Sequence, residues 1–80
     1  MSYPLAAGST FGSLGAVIYD GWGCATGASD TTTEAYAICY NPGTGPSFQT
    51  TIRTKVGTEL AMVECQPDEA RTGGGCSLIT

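Results

Sequence analysis

The sequence predicts an all-β fold, a small antiparallel sandwich or barrel of about five strands that carries two disulfides within hairpins. Apolar and polar residues alternate in several segments, and no segment shows a sustained 3.6-residue period. Four cysteines stand in a chain of 80 residues. A domain this short buries too little surface for its core alone to stabilise it, so covalent links are expected.

The first 13 residues, MSYPLAAGSTFGS, show neither a helical nor a strand period. We interpret residues 1–13 as an N-terminal arm and residues 14–80 as a single β domain. The β-branched and aromatic segment 14–20 predicts the first strand of that domain.

A first hairpin is predicted around the turn residues of segment 25–33, ATGASDTTT. If Asp30 lies opposite Thr33, Cys24 lies directly opposite Cys39. In this register small residues of one strand face large residues of the other, which favours the pairing.

The clearest alternation follows a turn at residues 41–46. It predicts a half-buried strand whose polar face, with Lys55, is typical of an exposed edge. The face expected to be buried consists of Phe48, Thr50, Ile52, Thr54 and Val56.

Two further strands are predicted, over residues 59–66 and 72–79, with a turn at residues 67–70 between them. This second hairpin places Cys65 opposite Cys76. The glycines that precede Cys76 predict a bulge or a close approach to another backbone.

The two registers favour the disulfides Cys24–Cys39 and Cys65–Cys76. Four cysteines allow three connectivities, and bonds that cross between the hairpins stay open. An even number of cysteines in so short a chain is typical of an oxidising environment, such as the cell exterior or a virion surface. The start of the chain has no basic and apolar leader, so either a leader was removed or the protein is oxidised after release from a cytoplasm.

Composition argues against several functions. A net charge of −4 with three cationic residues disfavours nucleic-acid binding, and no apolar run is long enough for a membrane span. Histidine is absent, which removes the commonest general base and metal ligand. The cysteines lack the close pairs of a zinc site, and no phosphate-binding or calcium loop occurs. We therefore expect no enzymatic activity, no metal and no cofactor.

The aromatic residues have two interpretations. A carbohydrate-binding face needs several of them exposed in line, whereas a small domain needs them in its core. We favour the core for Tyr36, Ile38 and Phe48, and leave Trp22 and Tyr3 open.

Four motifs together resemble a module of secreted and surface proteins of bacteria. They are Ser2-Tyr3-Pro4, Gly21-Trp22-Gly23-Cys24, Ala35 to Cys39, and Cys65 through Gly73-Gly74-Gly75-Cys76. The resemblance implies a small extracellular β module without enzymatic activity. The chain departs from the family in having Cys65-Gln66-Pro67-Asp68 where Cys-Pro-x-Gly is usual, and in placing S-Y-P before G-G-G-C.

This changed order implies that the two chain ends lie close together, within one subunit or between neighbours. We therefore expect the arm to dock on a partner or an adjacent copy by strand addition. The predicted partner-binding residues are Tyr3, Pro4, Leu5, Phe11 and Trp22.

The sequence predicts a non-enzymatic structural protein of an extracellular assembly, with a virion component such as a capsid decoration or cement protein as its most specific form. A protein partner or further copies of the chain would then be its ligand. One alternative is a secreted module that binds carbohydrate or a cell surface. Another is a small disulfide-rich inhibitor that presents the loop 41–46.

Overall fold

A computed structural model describes residues 1–41 and 49–79 and confirms the all-β class. Within these ranges there are six strands, all paired antiparallel, and a single 3₁₀ turn at Gly12–Leu14 instead of an α-helix. No helix among the described residues has the length and apolar character needed to cross a bilayer. The strands are β1 (Ser2–Leu5), β2 (Gly21–Ala25), β3 (Thr32–Asn41), β4 (Gln49–Thr58), β5 (Leu60–Glu64) and β6 (Ala70–Leu78).

The strands form two three-stranded sheets that pack as a sandwich. The first sheet has the order β1-β2-β5, and the second has the order β4-β3-β6. The chain passes from the second sheet to the first at Glu59, which has a positive φ of 69° and whose N–H donates to the Thr31 carbonyl. β4 is an edge strand, as its alternation with Lys55 predicts.

The core between the sheets is built from small side chains. Its buried members are Cys24, Ala35, Ala37, Cys39, Ala61, Val63 and Cys65, with Trp22 and Cys76 packed against them. The single strongly buried polar residue in the described chain, Thr33, donates its hydroxyl to the Ser77 carbonyl at 3.1 Å. Ala61 and Val63 of β5 and the following Cys65 face inward.

Both disulfides join one sheet to the other, which corrects the predicted hairpin pairings. The bonds are Cys24–Cys76 and Cys39–Cys65, with Cα–Cα distances of 5.9 and 5.7 Å. Expecting hairpins was wrong because β2 pairs with β1 and β5, while β3 pairs with β4 and β6. β2 and β3 lie in opposite layers, and so do β5 and β6, so inward-facing cysteines of the two layers meet.

These bonds constrain the packing of the layers. Stacked sheets normally lie about 10 Å apart, well beyond the Cα–Cα distance of a disulfide. The layers must approach closely around the cysteines, and the small side chains of Ala35, Ala37 and Ala61 leave room for that. Cross-links closing loops of 52 and 26 residues contribute roughly 4 kcal/mol each in the chain-entropy model.

Residues 6–20 form a cover over the outer face of the first sheet. Phe11 and Val17 of this cover are each 2 % exposed and pack with Leu5 in a second apolar cluster. The Glu64 carboxylate of β5 accepts hydrogen bonds from the backbone N–H groups of Ile18 and Tyr19, at 2.7 and 2.9 Å.

The cover corrects two predictions. Residues 1–13 are not a separate arm, because Ser2–Leu5 pair with β2 and Phe11 is buried against the same chain. The predicted strand at residues 14–20 is also absent: the segment begins within the 3₁₀ turn and then follows an irregular path. Here Val17 alone is buried, while Ile18 is 70 % exposed, so the apolar run does not form a buried strand.

Candidate binding surface

The outer face of the second sheet carries exposed and half-buried apolar side chains. Alternation places every second residue of β3 and β4 on this side. The directly paired residues are Tyr36 with Thr54, Ile38 with Ile52, and Tyr40 with Thr50. Ile52 and Val56 are 64 % and 55 % exposed. We call this surface the open face; it consists of Glu34, Tyr36, Ile38, Tyr40, Thr50, Ile52, Thr54, Val56, Ala70, Gly73, Gly75 and Ser77.

The alternation of β4 is confirmed, but its predicted burial is reversed. Arg53 and Lys55 project toward the inner side, and Ile52 and Val56 face solvent. Inward-pointing charges on an edge strand disfavour pairing with a further strand, which protects a long edge from aggregation. Phe48, which was expected on the buried face, lies outside the described residues.

The assignment of Tyr36 and Ile38 to the core is wrong as well. Both side chains are half-buried on the open face, whereas Ala35 and Ala37 fill the interior. The close approach of the sheets at the disulfides leaves no space between them for a tyrosine. Large residues of β3 are therefore placed outside.

The glycines of β6 accommodate large side chains on both faces of the second sheet. A Cβ at Gly74 would overlap the Trp22 indole on the inner side, and one at Gly75 would overlap the Tyr36 hydroxyl on the open face. A Cβ at Gly73 would meet Ile38 Cδ1 at an ordinary 3.5 Å. The predicted close approach is confirmed at Gly74 and Gly75, and the predicted bulge occurs where the β3–β6 register shifts beside Ile38 and Cys39.

The open face is nearly free of charge. Glu34 is its one charged member among the described residues. Two cations are used elsewhere: Arg53 pairs with Glu69, and Arg71 donates to the carbonyl oxygen of Leu5 at 2.6 Å. The face offers a partner apolar contact and hydroxyl groups.

The Arg53–Glu69 pair holds the 66–69 turn against β4. Glu69 accepts two hydrogen bonds from the Arg53 guanidinium, both at 2.8 Å, and one from the Gln66 N–H at 2.7 Å. These hydrogen bonds lower the pKa of Glu69 from 4.5 to about 2. The bond from the Arg53 guanidinium contributes most, followed by the bond from the Gln66 N–H. Glu69 in turn raises the pKa of Arg53. We assign this pair a structural role.

A cleft of about 420 Å³ opens between the sheets at the end where the chain termini meet. β1 and β6, each at an edge of its sheet, contribute Met1 and Leu78 to its walls, and the Cys76 sulfur lies 3.9 Å from the Met1 carbonyl oxygen. The predicted proximity of the chain ends is thereby confirmed within one chain. The full lining is Met1, Ser2, Ala25, Thr26, Thr31, Thr33, Cys76, Ser77 and Leu78.

The predicted partner-binding residues do not form one exposed patch. Leu5 and Phe11 are 3 % and 2 % exposed, so both are corrected from partner contacts to core residues. Tyr3 packs against Phe11 with ring centroids 5.1 Å apart, and Trp22 packs against the inter-sheet core while its Nε1–H donates to the Ser2 hydroxyl at 2.7 Å. Pro4 alone of the five is exposed.

Potential metal ligands meet at one place in the described chain, where the Cys39 and Cys65 sulfurs and a Glu69 carboxylate oxygen lie within 4.8 Å of one another. The two sulfurs are bonded to each other and offer no thiolate, and Glu69 is already paired with Arg53. This arrangement is therefore a disulfide beside an ion pair. The loop proposed for an inhibitor, residues 41–46, lies outside the described residues except for Asn41.

The open face was missed at the sequence level, although β3 contains its signal. Glu34, Tyr36, Ile38 and Tyr40 alternate with Thr33, Ala35, Ala37 and Cys39. The small residues Thr33, Ala35 and Ala37 share their face with Cys39. Because Cys39 is bonded to the opposite sheet, this face turns inward.

Comparison of the chain with protein-family models, curated proteins and solved structures yields no match.

Proposed function

We propose that the protein is a non-enzymatic structural component of an extracellular assembly that docks through its open face. In its most specific form, it is a virion component such as a capsid decoration or cement protein. The observation that carries the proposal is a bare apolar sheet face on a scaffold whose two layers are cross-linked twice. The two disulfides support an extracellular location, since disulfides form in oxidising environments. The resemblance to extracellular bacterial modules implies the same location.

Exposure of Ile52 and Val56 supports docking because burying each would stabilise a complex by about 1–2 kcal/mol. A face of three strands about 4.8 Å apart and ten residues long covers about 500 Å². Exposed patches of this size on small proteins are often functional.

The size of the face also favours a particular kind of assembly. A standard stable interface buries about 800 Å² on each partner, more than the open face provides. A single contact would therefore be weak, and occupancy would be highest on a partner that presents many identical sites at high local concentration, such as a repetitive lattice.

Charge favours a different protein over a second copy as the partner. The chain has seven acidic and three basic residues, so two copies repel each other, while their open faces carry little charge. A partner with an apolar contact area and a neutral or basic surround fits best.

Two exposed isoleucines provide a matched test. Ile52 lies on the open face, and Ile18 lies in the cover, 64 % and 70 % exposed. We expect Ile52→Asp to abolish co-sedimentation with assembled particles and Ile18→Asp to preserve it. A photo-reactive residue at position 52 should cross-link to a particle protein. Equal loss in both variants, or no cross-link from position 52, would refute docking through the open face.

A second candidate, carbohydrate binding, is favoured by two tyrosines on the open face. Tyr36 and Tyr40 lie four residues apart on β3, about 14 Å along the strand. In-line aromatic rings at such spacing stack on non-adjacent sugar rings of one extended glycan. A glycan array distinguishes the candidates: binding that is lost in Tyr40→Ala supports this one, and an array without binding removes it.

A further inference from the structure

The two disulfides differ in their access to solvent. Cys39 and Cys65 are 0 % and 2 % exposed, and both belong to the inter-sheet core. Cys24 is 1 % exposed, but its partner Cys76 is only half-buried and forms part of the wall of the cleft at the chain termini. One sulfur of the four therefore faces an opening.

The difference in burial between Cys24 and Cys76 favours attack on Cys76 from this opening. Cys24 belongs to the buried core cluster, whereas Cys76 packs against that cluster, is half-buried and lines the cleft. A thiolate in the cleft therefore reaches Cys76 first, and the buried Cys24 is the leaving group.

The chemistry of the cleft permits that approach. Its lining has hydroxyl groups and aliphatic side chains, and none of its side chains is a carboxylate that would repel a thiolate. A cleft of about 420 Å³ is large enough for a small thiol.

We propose that Cys76 is a thiol–disulfide exchange site that takes small thiols and dithiols as co-reactants. The incoming thiolate forms a bond to Cys76 Sγ while the Cys24–Cys76 bond breaks, and Cys24 leaves as a thiolate that takes a proton from water. A monothiol leaves a mixed disulfide on Cys76. A dithiol closes its own disulfide with its second sulfur, so the dithiol is oxidised and both cysteines are reduced.

The exchange opens one end of the sandwich and leaves the rest linked. Cys24–Cys76 joins β2 to β6 beside the termini, whereas Cys39–Cys65 keeps the two sheets covalently connected. Of the open face, Ser77 lines the cleft, whereas Ile52 and Val56 on β4 do not. The exchange site is therefore separate from the docking contacts proposed at β4.

Graded reduction of the native protein tests the proposal. Dithiothreitol is added without denaturant, samples are quenched with iodoacetamide, and alkylated peptides are mapped by mass spectrometry. We expect Cys24 and Cys76 to be alkylated at least about ten-fold faster than Cys39 and Cys65. The rate should rise linearly with dithiothreitol and not depend on low concentrations of urea. Glutathione should give one adduct per chain, at Cys76.

Two substitutions of exposed leucines distinguish entry through the cleft from exposure by unfolding. Leu78→Trp enlarges a side chain in the wall of the cleft, and Leu14→Trp enlarges one in the cover. We expect slower reduction in the first variant and an unchanged rate in the second. Equal rates in both variants, opening of both disulfides together, or a rate that saturates with dithiothreitol would overturn the proposal.

Discussion

The outer face of the first sheet is covered by the chain, whereas the outer face of the second sheet is exposed. The first sheet is covered by residues 6–20, which bury Phe11 and Val17 against it. The second sheet exposes Ile52 and Val56, together with half-buried tyrosines. The chain covers one outer face with its own segment and leaves the other exposed, and the exposed face is the one proposed for docking.

The interior alanine layer explains why the contrast exists. The disulfides join the sheets across a layer rich in alanine, and most large apolar side chains of the described strands other than Trp22 and Val63 lie on the outer faces. On the first sheet, Leu60 and Met62 of β5 pack against the cluster beneath the cover. On the second sheet the corresponding large residues face solvent.

The largest expected effect is removal of the aromatic side chain that anchors the cover. Phe11→Ala should lower the free energy of unfolding by about 3–5 kcal/mol, because it creates a cavity at a site 2 % exposed. Urea denaturation with intact disulfides measures this. Ile18→Ala in the same segment should change stability by less than about 0.5 kcal/mol, since its side chain is 70 % exposed. Similar losses in both variants would contradict a buried cover.

A smaller effect is expected from the glycine that faces the interior. Gly74→Ala should destabilise by about 1–3 kcal/mol, because the new methyl group overlaps the Trp22 indole. Gly73→Ala, one residue away on the open side, finds ordinary contact at 3.5 Å and should be neutral or slightly stabilising. Thermal unfolding of the two variants compares the faces directly. The opposite ranking would mean that Gly73, and not Gly74, faces the interior.

The inward polar face of β4 should produce a pH dependence. Glu69 has its pKa lowered to about 2 from an ordinary 4.5, so its stabilising effect is complete above about pH 4.5 and is lost as the pH falls toward 2. Urea midpoints measured across this range should fall less steeply in Glu69→Gln than in the unmodified protein. Arg53→Gln should give the same flattened curve. If the urea midpoint of either variant falls with pH as steeply as that of the unmodified protein, the ion pair does not form in solution.

The smallest effect on stability is expected at the open face. Ile52→Thr should change the free energy of unfolding by less than about 0.5 kcal/mol, because its side chain is 64 % exposed and threonine suits a strand. Docking to particles should nevertheless weaken. A loss of stability comparable to that of Phe11→Ala would indicate that the face is buried in the free protein.

Several elements were predictable because local pattern determines them. The alternation in residues 49–58 and 60–64 predicts strands β4 and β5, and the triple glycine predicts a close approach that the structure places at Trp22 and Tyr36. The segment 14–20 was not predictable in this way. Its β-branched residues favour a strand, but no neighbouring strand is available, so it crosses the first sheet as a cover instead.

The sequence by itself determined the all-β class, the need for disulfides and which side chains share a face of each strand. A two-residue period fixes these sets without specifying which one turns inward, and a cysteine does not specify its partner. Those choices were made only when the sheets stacked. The pairs Cys24–Cys76 and Cys39–Cys65 formed across the layers, and their short span admits alanine and excludes tyrosine from the interior.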